Sequence, residues 1–181
     1  MIMKRSLIFI VAFLFVIGCG VIPSGTETLP GPVGVSSDVP ATVSASVPSS
    51  EYAAYLPNLE LTPGDTLDVT NADICVSGYS SKVRNVPASV KNQAYSEYGI
   101  VSHAPGQYEV DHLISLELGG SNSIRNLWPQ SYTGPWNAHI KDKLENYLHD
   151  QVCNGNLDLK TAQTEIATDW ITTYIKYFGQ P

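Results

Sequence analysis

Two short extended runs, a glycine pair between them and an amphipathic helix directly after constrain this fold more than any other feature. The runs are Tyr108-Glu109-Val110 and Leu127-Trp128, and Gly119-Gly120 lets the chain reverse between them. Beyond them Ile140, Leu144, Leu148 and Val152 recur at helical spacing, which predicts a helix over residues 137–153 with Asn137 as its N-cap. A last helix is expected over residues 159–178, capped by Asp158, with Leu159, Ala162, Ile166, Trp170 and Tyr174 turned inward. Asn154-Gly155-Asn156 forms the turn between the two. Upstream, residues 67–69 and 74–76 read as extended. Pro87 opens a helix carrying Val90, Ala94 and Tyr98 on one face, and Gly99 ends it. Strand, strand, helix, with further helices around them, is a small α+β domain.

That domain does not need the whole chain. The 181 residues hold one domain plus accessory segments. Residues 1–18 read as a secretory signal: Lys4 and Arg5 precede an apolar run from Leu7 to Ile17. The run is short of the roughly 20 residues a spanning helix needs. Its end, Val16-Ile17-Gly18-Cys19, resembles the lipobox of bacterial lipoproteins. That resemblance implies that Cys19 is acylated and becomes the mature N-terminus. It implies more than one acyl chain, and hence a firm membrane tether. The expected location is therefore the bacterial cell envelope, lipid-anchored and outside the cytoplasm. After Cys19 the sequence is rich in Pro, Ser, Thr and Gly with few charges, so residues 19–60 are expected to form a flexible linker. Treated as a random coil, that linker reaches roughly 30–40 Å. The folded domain is then residues 61–181.

With Cys19 committed to lipid, Cys75 and Cys153 remain, and an exported protein favours a disulfide between them. A zinc pair is the alternative, but neither cysteine is read as having a further ligand at metal-binding spacing. The charge points elsewhere. Ten Lys and Arg stand against 17 Asp and Glu, a formal net charge of −7 that becomes about −9 without Lys4 and Arg5. Proteins that grip nucleic acid through its phosphates are usually basic. A nucleic-acid substrate would have to be met by a local cation patch and held weakly.

The segment around the glycine pair nevertheless carries chemistry. Tyr108-Glu109-Val110-Asp111-His112-Leu113-Ile114-Ser115-Leu116-Glu117-Leu118-Gly119-Gly120, followed by Asn126-Leu127-Trp128-Pro129-Gln130, resembles the core of the HNH (ββα-metal) nucleases. More loosely, Cys75-Val76-Ser77-Gly78-Tyr79, Lys82-Val83-Arg84-Asn85-Val86 and Tyr98-Gly99-Ile100 resemble the amino-terminal part of exported bacterial proteins of that type. The resemblance implies an HNH-like ββα-metal core with additional helices. It implies His112 as the general base that activates water and Asp111 as the acidic metal ligand. Asn126 would be the asparagine that fixes the turn around the base, and His139 the closing metal ligand, with Asn137 the alternative. Ser131-Tyr132-Thr133-Gly134-Pro135 lengthens the usual spacing before His139, and Ser115 stands where the family often has proline.

The chemistry expected of this set is hydrolysis of phosphodiester bonds in nucleic acid, with DNA preferred, assisted by one divalent ion. Mg, Mn, Zn and Ni are not distinguished. Hard oxygen ligands suit such an ion, and a neutral imidazole can take a proton from water. Arg125 and Lys143 are the candidate phosphate contacts, Lys143 lying one turn beyond His139. Glu117 is read as a backbone cap, with a ligand role the alternative, and His103 and His149 as solvent-facing. The alternative class is a non-enzymatic surface lipoprotein that uses the ββα scaffold for binding, which the acidic charge favours. A metal- or small-ligand-binding protein is the third.

Overall fold

The computed structural model describes residues 52–181. The expected signal, Cys19 and the linker up to residue 51 lie outside the described residues. The linker's last expected residues are part of the folded unit. Tyr52 packs edge-on against Trp136, with ring centroids 5.4 Å apart, and the Tyr55 carbonyl accepts the indole N–H of Trp170 at 3.2 Å. These two tyrosines supply apolar area and a carbonyl acceptor, so residues 52–55, expected within the linker, pack with the domain.

Among the described residues three α-helices precede the strands: α1 (Asn71–Ile74), α2 (Tyr79–Val83) and α3 (Ala88–Glu97). The extended reading of residues 74–76 is corrected by α1. The Asp73 carboxylate takes the Thr70 backbone N–H at 2.8 Å and its hydroxyl at 2.7 Å, the return half of a capping box. Pro87 stands immediately before α3, Ala94 on it is fully buried, and Gly99 follows it with φ 70°.

β1 (Tyr108–His112) and β2 (Leu127–Ser131) pair antiparallel, Tyr108 opposite Ser131 and His112 opposite Leu127. Among the described residues this is a two-stranded sheet. Pro129 is tolerated because both strands are edges. In the loop between them Gly119 turns the chain at φ 76°. A Cβ on Gly120 would overlap the Ile114 carbonyl oxygen, so only glycine lets the backbone close here.

α4 (Ala138–Cys153) and α5 (Leu159–Phe178) follow, with Asn137 and Asp158 as N-caps accepting from Ile140 N and Thr161 N. Leu144, Leu148 and Val152 of α4 meet Ala162, Ile166, Trp170 and Tyr174 of α5, all buried. Each of the buried Leu, Val and Ile side chains among them stabilises the fold by about 1.5–3 kcal/mol relative to exposure. α5 is not continuous. Asp169 leaves helical geometry, and its carboxylate accepts from Ile171 N at 3.0 Å and Thr172 N at 2.9 Å, capping the last turns as a new start. The disulfide joins Cys75, just after α1, to Cys153 at the end of α4. The fold is α+β with one disulfide.

Candidate active site

β1 ends in Asp111 and His112, and α4 crosses directly beside that end. The crossing is made by Lys141, whose side chain is buried. Its Nζ donates to Asp111 Oδ2 at 2.7 Å, to the His112 carbonyl at 2.8 Å, and to Glu145 Oε1 one turn further along α4. The three ammonium protons are thereby used, and Lys141 is held charged by the two carboxylates around it. Burial pushes the Glu145 carboxyl up from its ordinary range, with Lys141 opposing.

Beside this pair lies a cavity of about 220 Å³, lined by Arg84, Asp111, His112, Ser115, Glu117, Asp142, Glu145 and Asn146 among others. His112 is 2% exposed, and burial lowers its pKa, while the bond to Asn122 and the Asp111 charge oppose that shift. The imidazole Nε2 lies 3.2 Å from Asn122 Oδ1. Glu117 and Asp142 are both pushed upward, first by burial and then by neighbouring acidic groups, Asp111 in the case of Asp142. A divalent cation among these oxygens would reverse that shift. The Ser115 hydroxyl, buried and without a hydrogen-bond partner, lines the same space. The donors are of the hard oxygen type that suits such a cation, but the carboxylate oxygens are not drawn together within 4.8 Å of one another.

The expected site residues are only partly brought together. Asp111 and His112 share the cavity. Asn126 is fully buried but its side chain makes its hydrogen bonds to backbone and not to the imidazole. Its amide donates to the Ile114 and Ser121 carbonyls, both at 2.9 Å, and accepts from Ile114 N at 2.9 Å, so it pins the loop between the strands. His139 is 72% exposed and stands 3.8 Å from Asp142. It is not among the residues lining the cavity, whereas Asp142 is. Asn137 caps α4 and donates to the Gly134 carbonyl. Lys143 lies over the Phe178 ring at 4.3 Å and donates to the Tyr174 hydroxyl at 3.2 Å, and Arg125 is exposed; neither lines the cavity. Glu117 lines it rather than capping a turn.

Arg84, Asn122, Lys141 and Glu145 escaped the sequence reading. Lys141 and Glu145 had a signal: they are four apart and share the face of Ala138 and Leu148, a charged pair on a buried stripe. His149, expected to face solvent, is half-buried, with its Nε2 3.3 Å from the Ile74 carbonyl. It stands four residues before Cys153, and its ring nitrogen, with the sulfurs of Cys75 and Cys153, forms a group whose atoms lie within 4.8 Å of one another. That group could hold a metal ion, but the two sulfurs are joined in the disulfide and are not thiolate ligands. No family model, curated protein or solved structure matches the chain.

Proposed function

We propose that the protein hydrolyses phosphodiester bonds in nucleic acid, DNA being the preferred substrate, with the aid of one divalent cation. A single observation carries the reading: an imidazole, four carboxylates and an arginine converge on one cavity. The order β1, glycine loop, β2, α4 supports an HNH-like ββα core around it. His112, kept neutral by burial, accepts the proton of the attacking water. Arg84, exposed at the rim, offers planar N–H donors to a phosphate and replaces Arg125 and Lys143 in that role. Asp111, Glu117 and Asp142 line the cavity and would have to close on the cation to hold it, since their oxygens are not gathered within 4.8 Å of one another; they take the place of the expected pair Asp111 and His139. When bound, the ion polarises the phosphate and neutralises developing charge. The lipobox-like end at Cys19 supports export and tethering at the cell envelope.

The test is plasmid cleavage by the purified protein across Mg, Mn, Zn and Ni, with EDTA as control. Metal-dependent nicking that disappears in His112→Asn is the expected result. Equal cleavage by a folded His112→Asn protein would refute the mechanism. A second reading, a non-enzymatic binding protein, is favoured by the net charge of −7 and by Lys141 already neutralising Asp111. It predicts cation binding with no cleavage under any of these metals.

A further inference from the structure

Asn122 stands between the candidate base and the segment that brings Arg84 to the cavity. Its Nδ2 donates to the Val83 carbonyl at 2.8 Å. Its Oδ1 accepts the Asn85 backbone N–H at 3.1 Å and also faces His112 Nε2 at 3.2 Å. The two ends of a side-chain amide look alike, but their backbone partners do not. A carbonyl can only accept and a peptide N–H can only donate, so Val83 and Asn85 together fix which end of Asn122 is oxygen. An amide oxygen has no proton to give. The His112 nitrogen facing it must therefore carry one, and the neutral ring is the Nε2–H tautomer with its lone pair on Nδ1. Among the described residues Nδ1 has no hydrogen-bond partner, so it is the nitrogen left to take a proton.

We propose that Asn122 is a positioning residue. It selects the His112 tautomer that leaves Nδ1 as the proton acceptor, and it ties the backbone on both sides of Arg84 to the same loop. The base and the phosphate-binding cation are thereby set by one amide. This rests on the reading of His112 as a base, but the tautomer is a property of the resting protein and can be measured without cleavage.

The experiment is a two-bond ¹H–¹⁵N spectrum of the His112 ring in the full-length protein, EDTA-treated and at a pH where the ring is neutral. Wild type is expected to show the Nε2–H pattern. Asn122→Ala should show a mixture in which the Nδ1–H form rises. Asn122→Asp, whose carboxylate can still accept from Nε2–H, should keep the wild-type pattern. In cleavage, Asn122→Ala should lose about 10–100-fold in kcat, the usual range for a residue that orients another. Asn122→Asp should recover part of kcat but leave KM raised, because it cannot donate to Val83 and so frees the Arg84 segment. A wild-type ring in the Nδ1–H form overturns the proposal even if Asn122→Ala does not fold. So does an Asn122→Ala ring indistinguishable from wild type. The expected tautomer pattern in a protein that cleaves nothing would uphold the positioning role and remove the nuclease reading alone.

Discussion

The two sides of α4 are built on opposite principles. Toward α5 the helix buries Leu144, Leu148 and Val152 against Ile166, Trp170 and Tyr174, and Trp136 packs edge-on against Trp170 and Tyr174 at 5.9 and 5.7 Å. Toward β1 it buries Lys141 and Glu145 beside Asp111, His112 and the loop pinned by Asn126. The apolar side is stabilised by area removed from water and tolerates modest changes of shape. The polar side is held by hydrogen bonds whose individual net worth is about 1 kcal/mol, yet each leaves a costly orphan if its partner is removed. A protein built only for stability has no need of the second arrangement. Its presence beside an open cavity is what the proposed chemistry draws on, and the α4–α5 side holds the fold.

Substitutions should therefore separate along this line. The largest effect belongs to His112. His112→Asn is expected to lower cleavage about 10²–10⁴-fold, the range for a general base, with the thermal midpoint shifted by only a few degrees. Circular dichroism melts alongside plasmid nicking assays would check both halves. Trp170→Ala should do the reverse. It should cost about 3–5 kcal/mol of unfolding free energy, read from urea curves, while specific activity of the folded fraction stays near wild type. Full loss of activity in folded Trp170→Ala would erase the distinction between the two sides.

Lys141 tests the boundary itself. Lys141→Met leaves buried Glu145 and half-buried Asp111 without their cation and is expected to cost about 3–5 kcal/mol. If those carboxylates can also hold a divalent ion, millimolar Mg or Mn should restore part of that loss in the variant. No change in the variant's melting on adding either metal would argue against oxygen ligation at this place. Breaking the disulfide with Cys153→Ser should cost about 2–5 kcal/mol and leave the cavity chemistry intact, since the bridge lies at the ends of α1 and α4.

What the sequence revealed divides along the same line. The helices over 138–153 and 159–178 and both strands were legible because burial of an apolar face imposes a period. The break at Asp169 was not, although Asp169 and Thr172 form a capping pair three residues apart inside the pattern. At the site, Asp111 and His112 were visible as neighbours. Asn122 was not: its ties to His112, Asn85 and Val83 span 10, 37 and 39 residues, and no local spacing encodes them. His139 drew attention as a histidine in the first turn of α4, but at 72% exposure it faces away from the buried stripe that carries Lys141. Periodicity reports which face is buried. It does not report which charged residue on that face meets a strand.

The pH dependence is a smaller effect with a defined sign. Burial lowers the His112 pKa below its ordinary value, so the acidic limb of the cleavage profile should fall below about 6.5. The stability linkage runs the same way. Below about 6.5 the unfolded chain binds a proton on this ring that the folded protein does not yet bind. The contribution is present above the unfolded value and is lost as pH falls through the folded one. Melts between pH 7.5 and 5 should show this loss, and His112→Asn should show less of it.

The smallest expected effect concerns the cations at the surface. With a net charge of −7 the chain repels a phosphate backbone, so the proposed binding of nucleic acid would rest on a few local positive groups. Arg84 is at the cavity, whereas Lys143 is engaged with Tyr174 and Phe178. Cleavage below saturation should therefore fall as monovalent salt rises from about 50 to 200 mM, with a shallow log–log slope set by few phosphate contacts. Arg84→Ala should raise KM several-fold and flatten that slope by about one. Lys143→Ala should leave the slope unchanged and cost the exposed cation–π contact, about 0.5–1 kcal/mol, together with the hydrogen bond to the Tyr174 hydroxyl, about 1 kcal/mol. The reverse ranking, with Lys143 setting the slope and Arg84 silent, would place the substrate along α4 toward α5 and move nucleic-acid contact to the side assigned here to stability.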